Sequence, residues 1–116
     1  MANNYGIRYL PLFYQDFLEV LDYIRYKLNN PEAAEKLIID VEEAILNRMS
    51  NPESFEIFRS TRERKYPYYR IYIKNFVIFY VVIDDDLRDK KPDDSKTKIV
   101  EIRRILYNKS DYKDRL

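Results

Sequence analysis

Neither cysteine nor histidine occurs in this 116-residue chain, and glycine occurs once, at Gly6. Without cysteine there can be no disulfide and no thiolate metal site, and the redox state of the compartment cannot be read. Without histidine the usual general base at neutral pH and the commonest metal ligand are both missing. A single glycine excludes the G-x-x-x-x-G-K-S/T and G-x-G-x-x-G loops, so triphosphate and dinucleotide binding by those routes is ruled out. Serine nucleophiles have no histidine to activate them. No apolar run approaches the roughly 18 residues that a bilayer span needs. The opening MANNYGIRYLP also lacks the basic-then-apolar order of a secretory signal. The expectation is one soluble, cytoplasmic domain over residues 1–116, without a cofactor and without a membrane partner.

Aromatic residues, by contrast, are abundant, with twelve tyrosines and six phenylalanines. Charge is plentiful and unevenly spread. Residues 1–58 carry five basic and ten acidic side chains, and 59–116 carry sixteen and ten. Positive charge concentrates in 59–74 and 98–116, separated by an acidic stretch at 84–97. Basic blocks of this kind attract polyanions or acidic protein segments.

Hydrophobic spacing gives the order of elements. Tyr5 to Leu10 alternates as a short strand. Pro11 suits a first helical turn, and Phe13, Phe17, Leu21, Ile24 and Leu28 follow at steps of three or four, predicting a helix of about 18 residues with Asp16, Glu19, Asp22 and Lys27 away from the stripe. Asn30 can cap a second helix that starts at Pro31 and carries Ala34, Leu37, Val41, Ile45 and Met49. Glu32 and Glu35 in its first turns and Arg48 in its last agree with the helix dipole. The short link makes the two helices an antiparallel hairpin. Phe55 to Arg59 reads as a brief strand. In Tyr68 to Lys74, Tyr69, Ile71 and Ile73 point one way while Arg70, Tyr72 and Lys74 point the other. Lys74-Asn75 reads as a two-residue turn in which Asn75 takes the positive φ. Phe76 to Ile83, apolar on both faces, is a central strand. Asp84 to Thr97 is expected to be a mobile acidic loop, Lys98 to Leu106 the last strand, and 108–116 a polar tail or helical turn. The fold class is therefore α+β, an N-terminal strand and a helical hairpin packed on a mainly antiparallel sheet of four to five strands.

The only candidate metal cluster is the aspartate group of 84–94, whose spacing is not that of a calcium loop, so no metal site is expected. What remains is an Arg/Lys/Tyr surface: Arg70, Tyr72 and Lys74 on one strand, Arg103, Arg104 and Tyr107 on another. Arginine pairs two phosphate oxygens at once, tyrosine stacks on a base, and lysine or a perturbed tyrosine moves protons. RNA cleavage without metal needs only an activated 2′-hydroxyl, a stabilised phosphorane and a proton for the leaving oxygen. The same alternation also describes an ordinary wetted strand face.

Four stretches together resemble the RelE/ParE superfamily of toxins from type II toxin–antitoxin pairs. They are Tyr9-Leu10-Pro11, the helix start Asn30-Pro31-Glu32-Ala33-Ala34, the hairpin YYRIYIKNFVIFYVVID and the C-terminal VEIRRILYNKSD. The last two are the specific ones. The resemblance implies a helical hairpin on a sheet core, a part in plasmid stabilisation, and a cognate antitoxin that wraps the toxin. A basic sheet face calls for an acidic, partly disordered antitoxin segment. Members cleave mRNA on the ribosome or poison DNA gyrase. For cleavage, the resemblance implies Arg70 and Arg104 as phosphate grips, Tyr72 and Tyr107 as base-placing or proton-moving groups, and Lys65, Lys74 and Arg103 as RNA-steering residues. Tyr72 stands where some members have lysine, and Val77 where an arginine is frequent. The reading from sequence is a toxin acting by metal-independent mRNA cleavage, with gyrase inhibition, or antitoxin binding alone, as alternatives.

Overall fold

The computed structural model describes residues 5–58, 65–84, 98–109 and 116. Five strands form one mixed sheet in the order β1-β5-β4-β3-β2. They are β1 (Tyr5–Tyr9), β2 (Ile57–Phe58), β3 (Tyr68–Ile73), β4 (Phe76–Ile83) and β5 (Lys98–Tyr107). β1 runs parallel to β5 and the other pairs are antiparallel. Helices α1 (Pro11–Asp22) and α2 (Pro31–Arg48) pack on one face of the sheet, as the spacing of apolar residues implied. The expected β, α, α, then strands order is observed. The expected acidic loop lies almost wholly in 85–97, and Arg59 and most of the tail also lie outside the described residues.

α2 forms for the reasons read in the sequence. The Asn30 side chain accepts a hydrogen bond from the Ala33 N–H at 3.2 Å, Pro31 needs no donor, and Ala34, Leu37, Val41 and Ile45 bury the inner stripe. The first helix departs from its 18-residue expectation. It is α-helical for twelve residues and then widens into a π-helical turn at Tyr23–Lys27, closed by the Leu28 N–H on the Tyr23 carbonyl at 2.9 Å. A π turn inserts one residue into the helical count, so Leu28 leaves the stripe defined by Phe13, Phe17 and Leu21. Leu28 is 55 % exposed rather than buried. Asn29, at φ 52°, then reverses the chain in the left-handed region that asparagine tolerates.

At the β3–β4 turn the residue with positive φ is Lys74, at 52°, and not Asn75. In a two-residue hairpin loop that leads from Ile73 to Phe76, the first loop position carries the left-handed φ in both favoured turn types. Asn75 instead offers its carbonyl to the Asn108 N–H at 2.7 Å, tying the turn to the end of β5.

β4 is central in fact as well as in pattern, since both of its faces are covered. Ile78 and Tyr80 face the helices in the main core, while Val77, Phe79, Val81 and Ile83 belong to a second core on the outer face with Tyr68, Leu106 and Leu116. Val77 is fully buried there. Between Phe79 and Tyr80 the register against β5 slips: Phe79 faces Arg104, and Tyr80 faces Ile102. The extra residue is Arg103. A bulge of this kind lets two consecutive side chains point outward, and the alternation resumes with Ile105 inward and Leu106 outward.

Candidate functional site

The outer face of the sheet is built from odd-numbered positions of β4 and even-numbered positions of β3, so Tyr68, Arg70 and Tyr72 share it with Phe79. Arg70 is held from several sides. Its guanidinium lies 4.9 Å from the Phe58 ring centre and 5.6 Å from that of Tyr72, and its carbonyl accepts from the Arg48 Nη1 at 3.0 Å. Among the described residues its ion-pair partner is Glu56, 3.8 Å away and almost fully exposed, a pair without a hydrogen bond.

On the neighbouring side of the same face, the Glu101 carboxylate is buried between two arginines. One oxygen accepts from the Arg103 Nε at 2.8 Å, and the other from the Arg8 Nε and Nη2 at 2.9 and 2.6 Å. Arg103 also stands 5.8 Å over the Tyr68 ring. A buried carboxylate needs such partners, and here it fixes the aim of both guanidinium groups. The bulge carries Arg104 the other way round the open edge of β5. Its Nε and Nη2 donate to the two oxygens of Asp16 on α1 at 2.7 and 2.8 Å, and the Ile105 N–H donates to Asp16 at 3.2 Å. Asp16 is 6 % exposed. The hydrogen bond to this carboxylate raises the Arg104 pKa further above its already high ordinary value.

The residues selected from sequence therefore divide. Arg70 and Tyr72 come together on the outer face, with Arg103 two strands away. Lys65 sits near the ring of Tyr66, at 5.4 Å. Tyr107 lies on the opposite, helix-facing side, edge-on to Phe76 at 5.9 Å. Lys74 is at the hairpin tip, 3.2 Å from Asp40 of α2. Tyr107 and Lys74 line a groove of about 830 Å³ between the hairpin tip, β5 and the helices, with Tyr23, Ile24 and Leu28 of the π turn on its other wall.

Two structural residues escaped the reading from sequence. Asp16, expected away from the apolar stripe, is buried because Arg104 reaches it round the sheet edge; its position three residues after Phe13 is the one hint the sequence holds. Arg48, expected as a dipole partner in the last turn of α2, does more. It donates to the Tyr80 hydroxyl at 3.0 Å and stacks on Phe55 at 3.5 Å, while that hydroxyl donates to the Pro52 carbonyl at 2.6 Å. Burial raises the pKa of Tyr9, Tyr69 and Tyr80, moving all three away from neutrality. At the β1 edge of the sheet Tyr5 and Lys98 both donate to Glu53, at 2.5 and 2.8 Å. The lysine above all, and then the tyrosine, lowers the Glu53 pKa.

Among the described residues no group of three acidic side chains is placed to hold a metal, and no helix is long and apolar enough to cross a membrane. An N-terminal strand and two helices laid on a mixed five-stranded sheet agree with the α+β fold of the RelE/ParE superfamily. The family described as "ParE toxin of type II toxin-antitoxin system, parDE" matches residues 7–112, nearly the whole chain. The chain belongs to that family and is the toxin component of a type II toxin–antitoxin pair, which implies an antitoxin partner. No curated protein matches it.

Proposed function

We propose that this toxin arrests growth by binding a macromolecular target, DNA gyrase, and does not cut mRNA. One observation carries the reading: of the four side chains that cleavage would require, Arg70 and Tyr72 meet on the outer face but Arg104 and Tyr107 do not join them. Tyr72 and Tyr107 lie on opposite faces of the sheet, the Arg104 fork is spent on Asp16, and Val77 fills the outer core. A general acid and base must both reach the reacting phosphate, about 3 Å from the atoms they serve. The match to the ParE family over residues 7–112 supports the same choice. The arrangement at Arg70, rigid and aromatic-backed, suits recognition of another molecule.

Such a protein works in the cytoplasm, neutralised by a small antitoxin until that partner is lost. Inducing the chain alone should stop growth, relax plasmid supercoiling and leave mRNA 5′ ends unchanged when mapped across the transcriptome. New mRNA ends appearing within minutes, with supercoiling intact, would restore the cleavage reading centred on Arg70 and Tyr72. Growth that continues at full rate would leave antitoxin binding as the remaining activity.

A further inference from the structure

Two large apolar side chains stand on the wrong side of α2 for a helix that packs on a sheet. Ile39 and Leu46 are 55 % and 66 % exposed, turned away from the buried Leu37, Val41 and Ile45. They are seven residues apart, which is two helical turns, so both point outward along one line with about 10 Å between them. Acids flank that line. Glu32, Glu35, Glu42 and Glu43 are exposed on the same surface, and the single lysine of α2, Lys36, is paired with Asp40 at 3.4 Å. Glu32, Glu42 and Glu43 meet no cation among the described residues, and Glu35 comes only to 3.7 Å from Arg25. The apolar surface continues onto α1 at Tyr14, which is 53 % exposed. Burial above all, and then Tyr14 and Glu42, raise the Tyr9 pKa, which places both of them close to the Tyr9 hydroxyl.

We infer that the outward face of α2 is a docking surface for a basic amphipathic helix of a protein partner, with Ile39 and Leu46 as its apolar anchors. Their spacing selects the element. A helix repeats an apolar side chain every seven residues along one seam, at about 10 Å, whereas a strand repeats one face at about 6.8 or 13.6 Å. Charge selects the sign of the partner. Lysine or arginine on either side of the partner's seam meets Glu32, Glu35, Glu42 and Glu43, as the flanking charges of a coiled coil do. A second copy of this chain laid on the stripe would set its glutamates against the same glutamates, and nucleic acid or an anionic bilayer would meet the same repulsion. α2 lies across the sheet from Arg70 and Tyr72, so the basic helix is a different segment from the acidic one expected on the outer face.

The inference does not rest on which target the toxin arrests, because its test reads binding and not growth. The full chain is titrated into a fluorescein-labelled peptide of three heptads, with leucine at the first and fourth positions, lysine at the fifth and seventh and alanine elsewhere, and anisotropy is followed. A scrambled peptide of the same composition, with no leucine seam, and a version with glutamate for lysine serve as comparisons. The seamed lysine peptide should bind, the scrambled one about fivefold more weakly or worse, and the glutamate version not at all. Ile39→Ser and Leu46→Ser, both at exposed positions, should keep the circular dichroism spectrum and each weaken binding about fivefold or more. Leu28→Ser, an equally exposed apolar residue beside the groove, should change it less than twofold. Glu42→Gln with Glu43→Gln should weaken binding at low salt and flatten its salt dependence. Equal binding of the scrambled peptide, or unchanged binding by Ile39→Ser and Leu46→Ser, would overturn the docking surface. So would a dimer of the chain alone, seen by sedimentation and abolished by Leu46→Ser, which would assign the stripe to a second copy.

Discussion

Replacing Asp16 with alanine removes one side chain that joins α1 to β5 through three hydrogen bonds, two from the Arg104 guanidinium and one from the Ile105 N–H. Arg104 is 13 % exposed and Asp16 5 % at the side chain, so neither recovers full hydration when its partner is lost. Breaking a buried pair from one side typically costs about 3–5 kcal/mol, and the orphaned N–H adds to this. Because the Arg104 side chain keeps some access to water, the lower end, about 3 kcal/mol, is expected for Asp16→Ala. In a chain of this length that corresponds to a fall in Tm of about 10–15 °C. Asp16→Asn retains an acceptor and should lose roughly half as much. The double variant Asp16→Leu with Arg104→Met, which removes both charges of this pair together, should be more stable than Asp16→Ala alone. Urea denaturation followed by circular dichroism measures all three, with the m-value showing whether unfolding remains two-state. A cost below about 1 kcal/mol for Asp16→Ala would mean that the pair is effectively solvated, and would refute the claim that it locks the bulge to the helix.

Tyr80→Phe removes the hydroxyl that bridges Arg48 and the Pro52 carbonyl, and should cost about 1–2 kcal/mol by the same assay. The Glu53 clip makes stability depend on pH. Its folded pKa is lowered, so its contribution is present above the ordinary glutamate range and is lost as pH falls through the folded value. Glu53→Gln should therefore flatten the acid limb of a stability–pH curve below about pH 4.5, by less than about 1 kcal/mol because the group is a third exposed. An acid limb unchanged by Glu53→Gln would assign the pH dependence to other carboxylates. Leu28→Ser, at an exposed position beside the groove, should leave Tm within about 2 °C of wild type. A larger fall would show that the π turn buries this residue in solution.

How much of this could be read without coordinates follows from what kind of contact fixes each part. Periodicity depends on a residue's own neighbours, and it located the start of the first helix, the second helix, the β3–β4 hairpin and the final strand to within a residue or two. It failed where a backbone irregularity reset the count. The π turn moved Leu28 out of its stripe, and the bulge at Arg103 turned two consecutive arginines outward on a strand whose pattern, IRRIL, reads equally well as a simple reversal. Such irregularities are decided by tertiary packing, which no local window contains. The site fared likewise. Arg70 and Tyr72 lie two apart on one strand, so alternation alone put them together. Tyr107 could be assigned to a face only by counting through the bulge, and the count without it gives the wrong side.

That slip bears directly on function, because it decides what an Arg104 variant can reveal. If Arg104 grips phosphate, Arg104→Ala should relieve growth arrest while Asp16→Ala, which releases the guanidinium from its carboxylate, should preserve or strengthen it. If Arg104 is a tie between β5 and α1, both substitutions remove the same contact and both should weaken arrest in proportion to their loss of stability. Measuring the two in parallel, with soluble protein level as the control, separates the cases that Arg104→Ala alone would confuse. Relief of arrest by Arg104→Ala at unchanged protein level, together with full arrest by Asp16→Ala, would return the arginine to the reaction and refute the binding mechanism proposed for this toxin.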